Sequence, residues 1–139
     1  PIDVGRDDEN PVEIDVTWGD PVGKKVRPRY RNYIRDAVED WSEPGDAVRW
    51  KIDVARAGRY EVTLNYGCAP EDAGGTYAVA VGDARCAGTV EPTAGRTVFR
   101  PRAAGTLDLP AGPATLEIRA VTVKGRELMT LHKAWLRRL

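Results

Sequence analysis

The residue types that carry most enzymatic chemistry are nearly missing from this chain. It has one histidine, His132, one serine, Ser42, and two cysteines, Cys68 and Cys86. A Ser-His nucleophile, or a site built on several His ligands, therefore lacks its parts. The cysteines show neither CxxC nor His-Cys spacing, so no zinc site is spelled out. A disulfide between them and two separate small apolar side chains are both open readings. What the sequence does concentrate is charge. Residues 1–20 hold seven acids against the single base Arg6, and residues 24–35 hold six bases and no acid, with Tyr30 and Tyr33 interleaved. In an extended chain Arg27, Arg29 and Arg31 point to one side, where guanidinium forks suit sulfate, carboxylate or phosphate. The competing account is that this basic stretch neutralises the acids of residues 1–20 inside the fold.

Lys+Arg and Asp+Glu both number 21, so net charge gives no general attraction to nucleic acid or to an anionic membrane. No nucleic-acid recognition motif accompanies the basic stretch. No apolar run approaches the roughly 20 residues of a membrane span. At 139 residues and 42% hydrophobic the chain suits one compact domain over 1–139. It begins Pro1-Ile2-Asp3, which reads as a processed or excised piece.

The elements that must position these residues are strands. Val48, Trp50, Ile52 and Val54 alternate with Arg49, Lys51 and Asp53, a period of two with one wet face. Tyr60, Val62, Leu64 and Tyr66 repeat the pattern after the Ala57-Gly58 turn, and Tyr77, Val79 and Val81 follow before Gly82-Asp83. Leu107/Leu109, then Leu116/Ile118/Ala120, come later. A last strand runs through Leu128–Leu136, where Leu131 and Trp135 keep one parity and Ala134 and Leu136 break it, so a β-bulge is expected. Tyr30–Glu39 is the only helix candidate, and it reads equally as a loop with a short strand. Gly (14) and Pro (10) fall at the spacing of sandwich turns, without repeats or linkers. The expectation is an all-β, antiparallel, two-sheet β-sandwich with little helix. Trp50, Tyr60, Val62, Leu64, Val79, Leu116 and Ile118 should be buried.

The order Trp41, Asp46-Ala47-Val48-Arg49-Trp50, Ala57-Gly58-Arg59-Tyr60-Glu61-Val62 and Leu109-Pro110-Ala111-Gly112 before Thr115-Leu116 resembles family 6 carbohydrate-binding modules, a galactose-binding-like jelly roll. Tyr66 to Gly74 and Gly125-Arg126 through Leu136-Arg137-Arg138 are similar to the C-terminal accessory domain of some bacterial sulfatase and related glycan-degrading polypeptides. The resemblance implies a non-catalytic module of a larger secreted or periplasmic bacterial polypeptide. Its partner would be a carbohydrate, sulfated or acidic glycans included, or else the parent catalytic domain, against which it would dock without a ligand of its own. Cys68-Ala69-Pro70-Glu71-Asp72 begins like the sulfatase nucleophile motif, but Asp72 stands where that motif needs Arg, so no catalytic role follows.

By the same resemblance Trp41 lies near a stacking position, unless it packs under its own loop. Phe99 falls near a second one, unless it is a core residue of its strand, with Arg100 beside it to read anionic substituents. Thr130 and His132 stand where the family carries a polar ligand residue. Family 6 modules also hold a structural calcium through first-strand carboxylates, and Glu13 and Asp15, on one strand face, would supply two of the six to eight oxygens it takes.

Overall fold

The computed structural model describes residues 1–139, of which 58% are in strands and 4% in helical turns. The alternating runs form the strands expected of them. One sheet runs β1 (Ile2–Val4), β6 (Ala47–Val54), β11 (Gly112–Thr122), β8 (Thr76–Val81), β9 (Ala84–Thr89), with β3 (Asp20–Val22) also on β6. The other runs β10 (Arg100–Leu109), β7 (Gly58–Gly67), β12 (Thr130–Arg138), β5 (Ile34–Glu39), β4 (Arg27–Arg31), with β2 (Val12–Asp15) also on β12. All pairings are antiparallel except the short β1–β6 contact, where Ile2 lies opposite Ile52.

Between the sheets lies one continuous cluster of buried apolar side chains. Trp50, Tyr60, Val62, Leu64, Val79, Leu116 and Ile118 are all in it, as their parity requires. Residues 30–39, open on sequence between a helix and a loop with a short strand, hold strand on both sides of a turn: β4 and β5 make a hairpin turning at Asn32-Tyr33, both with positive φ. That backbone is the primed turn that matches strand twist in two-residue hairpins.

The bulge expected in the last strand is at His132. Leu131 pairs with Tyr66 and Lys133 with Asn65, so His132 is the extra residue. The insertion lets Leu131, Ala134 and Leu136 all face the core, which strict alternation forbids. It also turns both His132 and Lys133 outward. Cys68 and Cys86 are free thiols, which settles the disulfide alternative in favour of two unlinked side chains.

Candidate functional site

Trp41, Phe99, Thr130 and His132, given binding roles by the resemblance, are not all brought to one surface. Trp41 is fully buried (0% exposed), its indole N–H donated to the Asp46 carbonyl at 2.8 Å. Leu128 N–H in turn donates to the Trp41 carbonyl at 2.7 Å. With its polar atom satisfied inside its own loop, Trp41 packs as core and offers no face to a ligand. Thr130 is equally buried and donates its hydroxyl to Glu127. Glu127, itself buried, takes a forked pair of bonds from Arg96 at 2.9 and 3.2 Å and the Asp40 amide at 3.2 Å. A buried carboxylate needs such partners.

Phe99 and His132 do meet. Their rings stack with centroids 4.7 Å apart and planes 7° from parallel, and His132 Nδ1 lies 2.6 Å from the Asp36 carbonyl oxygen. Nδ1 therefore carries the proton and donates it. Arg100 is exposed, and its guanidinium folds back onto the Phe99 carbonyl.

The basic stretch pairs internally, though not with the acids its position in sequence suggests. Arg27 meets Asp40 and Glu39, Arg29 lies 3.8 Å from Asp36, and Lys25 reaches Glu43. The hairpin and the chain flanking it supply these partners, because β4 and β5 run side by side. The acids of residues 1–20 pair elsewhere: Asp3 and Asp8 with Arg6, Asp7 with Arg56 and Arg138, Glu13 with Lys133. The register shift beside Arg29 comes from an extra residue on the partner strand, Asp36 of β5, which brings that carboxylate to Arg29. Of Arg27, Arg29 and Arg31, Arg31 alone has no acidic partner.

Glu13 and Asp15 share the outer face of β2, as expected, but each is committed. Glu13 pairs with Lys133, and Asp15 Oδ1 accepts the Thr17 amide at 2.8 Å. No group of three or more His, Cys, Asp or Glu side chains is arranged to hold a metal, and these two carboxylates would supply only part of the six to eight oxygens calcium takes. Burial pushes the Cys68 thiol up to about 11, and the carboxylates of Asp72, Glu127 and Glu71 add to it. It is the protonated, unreactive form that persists at neutral pH.

A different aromatic residue is displayed. Trp18 is 70% exposed. It ends a 3-10 turn, Val16–Trp18, that follows β2 directly. Along that stretch Val12, Ile14, Val16 and Trp18 have one parity, and the first three are buried. The turn breaks the alternation and swings Trp18 outward. Asp15 starts the turn by capping the Thr17 amide, and Gly19 N–H closes it on the Val16 carbonyl at 3.1 Å. Trp50 in the core donates its indole N–H to the Asp15 carbonyl at 2.8 Å. From β5, Arg35 Nη1 donates to the carbonyls of Val16 (3.3 Å), Thr17 (3.4 Å) and Gly19 (2.8 Å). Gly19 must be glycine, since a Cβ there would lie 2.8 Å from the Trp50 indole.

Two grooves meet at this side chain. One, of about 580 Å³, is lined by Pro1, Ile2, Trp18, Asp20 and Lys51. The other, of about 300 Å³, shares Ile2 and Trp18 and adds the carboxylates of Asp3, Glu9, Glu13 and Asp15. An aromatic face beside polar groups on a rigid base is what a ligand with one apolar and one hydroxylated side requires. Sequence reasoning missed Trp18 because parity assigns it to the core. The signals that point outward are the Asp15-x-Thr17 cap and the Gly19-Asp20-Pro21 break.

No family model matches the sequence, and no curated protein does. Solved structures do match. The CBM35 from Cellvibrio japonicus Abf62 superposes with a TM-score of 0.72 at 16% identity, over 90% of this chain and 92% of that one. The carbohydrate-binding module CBM6cm-2 from Cellvibrio mixtus lichenase 5A, solved in complex with cellotriose, gives 0.69 at 16% identity, over 92% and 97%. The Podospora anserina GH26-CBM35 β-(1,4)-mannanase gives 0.63 at 20% identity, with 94% of this chain covering 28% of that longer one. At these identities the chain shares its fold with them: a β-sandwich of the kind found in CBM6 and CBM35 modules.

Proposed function

We propose that the protein is a non-catalytic carbohydrate-binding module whose sugar stacks on Trp18. The observation that carries this reading is a tryptophan left 70% exposed on a turn fixed by hydrogen bonds from both sheets. An aromatic side chain of this size gains several kcal/mol by burial, at roughly 25 cal/mol per Å². A fold that holds the ring outside on a hydrogen-bonded backbone turn has that backbone preorganised for a partner, so less ordering is left to be done on binding. A pyranose suits the place: its C–H face lies on the indole and its hydroxyls reach Asp20 and Lys51. The carbohydrate-binding modules among the structures of like fold support the same class of ligand. The high Cys68 pKa removes that thiol as a nucleophile at neutral pH.

A neutral glycan has more support than a sulfated one, because Arg27 and Arg29 are neutralised within the hairpin and the Trp18 grooves are rich in carboxylates. The resemblance of residues 66–74 and 125–138 to sulfatase-linked modules supports a glycan-active parent polypeptide, a sulfatase among them. One observation favours docking on that parent instead: Tyr33 and Ile34 are exposed at the hairpin tip without a partner.

Electrophoresis through gels containing barley β-glucan, xylan or galactomannan separates the readings. Binding predicts that at least one polysaccharide retards the wild type and that Trp18→Ala migrates as in an empty gel at unchanged melting temperature. Equal migration of both proteins in every gel would remove the Trp18 site.

A further inference from the structure

Next to the Trp18 turn stands a second aromatic residue that the core does not use. Tyr30, at the end of β4, is 58% exposed, and its hydroxyl bonds to nothing in the protein. In the hairpin it pairs with Arg35. The Arg35 guanidinium carbon lies over its ring, 5.9 Å from the centroid, while Nη1 of the same group bonds the Val16, Thr17 and Gly19 carbonyls. One planar cation therefore separates the Tyr30 ring from the turn that carries Trp18. Arg35 holds both: it covers one face of Tyr30, a cation–π contact, and fixes the Trp18 backbone. The grooves at Trp18 share that residue and Ile2 as a common wall. Trp18 and Tyr30 are thus two exposed aromatic side chains linked through one arginine, with Tyr30 outside both grooves.

We propose that Tyr30 is a second stacking position of the Trp18 site, with Arg35 as the positioning residue between the two, so that the ligand is an internal run of several sugar units in a glycan chain. This rests on the carbohydrate-binding reading and specifies its ligand. A closed pocket reads a terminal sugar and gains nothing from a longer chain. A track with two separated platforms gains affinity with each unit until both are covered, because the second contact is made by a ligand already held at the first.

The test is a calorimetric titration with cello-, manno- and β-1,3-galacto-oligosaccharides of two to six units, against wild type, Trp18→Ala, Tyr30→Ala, Tyr30→Phe, Arg35→Ala and Arg35→Lys. For the series that binds, wild-type affinity should rise at least tenfold from the shortest member to the longest. Tyr30→Ala should bind the shortest member as wild type does and lose the rise, while Tyr30→Phe, which keeps the ring, retains it. Arg35→Ala should weaken every length, and Arg35→Lys, which keeps a cation beside Tyr30, should recover part of that affinity, whereas a role in stability alone would move the melting temperature and leave the affinity of the folded protein unchanged. An affinity that is flat with length, or a Tyr30→Ala protein that keeps the full rise, overturns the second position and leaves the Trp18 site standing. No binding of any series by the wild type overturns both.

Discussion

Asp46 takes three backbone amides on its carboxylate: Lys24 at 3.0 Å, Lys25 at 3.0 Å and Val26 at 3.1 Å. Burial pushes its pKa up, and the bonds from Lys25, Lys24 and Val26 together outweigh burial and hold it below the ordinary carboxylate value. A folded-state pKa below the unfolded one stabilises the protein above the unfolded value, and that contribution is lost as pH falls through the folded one. Asp46→Asn should therefore lower stability by about 2 kcal/mol at neutral pH, since an amide accepts fewer of the three donors. The difference from wild type should shrink below about pH 4, as chemical denaturation at a series of pH values would show; a constant gap would contradict it. Cys68 makes the opposite case at the same scale. With its thiol pushed up to about 11 it should resist iodoacetamide in the folded protein at pH 8, and rapid alkylation would show that the burial account is wrong. Such roles are hard to read from a sequence. Trp41 and Trp18 are both flanked by polar residues or turn formers, yet one is core and the other surface. The difference lies in whether the indole finds a partner within its own loop, and only the folded backbone decides that.

At the scale of elements, periodicity carried far. The alternation of residues 47–54 and 59–66 specified β6 and β7, and the broken parity of residues 128–136 specified the bulge, because a sheet buried on one face tolerates no slip. Pairing between strands close in sequence but irregular in pattern was not legible. The β4–β5 hairpin turns on Asn32-Tyr33 where Asn-Gly would announce it, and Tyr33 holds φ 66° while fully exposed. Left-handed backbone costs a side chain about 1–2 kcal/mol. Tyr33→Gly should raise stability by about 1 kcal/mol, a few degrees in melting temperature. A drop instead would mean that the tyrosine ring packs in solution. Gly19→Ala should do the reverse. A methyl aimed at the Trp50 indole forces the turn or the core to move, at a cost of about 1–3 kcal/mol, and should loosen Trp18 as well.

Over the whole molecule, charge that is segregated in sequence is mixed in space. The N-terminal acids close on arginines of residues 6, 56 and 138, and the bases of residues 25–29 close on acids of residues 36–43. Exposed pairs of this kind contribute about 0–1 kcal/mol each and leave no broad basic field. Replacing Arg27, Arg29 and Arg31 together by Ala should therefore cost a little stability, and the wild type should pass immobilised heparin without retention at low salt. The sandwich followed from composition and alternation, whereas the displayed face depends on a three-residue turn that reverses the parity of β2. This reversal is what displays Trp18 for the proposed site, and titrating wild type and Trp18→Ala with the oligosaccharide series that binds tests it. Wild type should bind saturably, with a change in tryptophan fluorescence, and Trp18→Ala should lose at least tenfold at equal melting temperature. Equal affinity of the two proteins would contradict it.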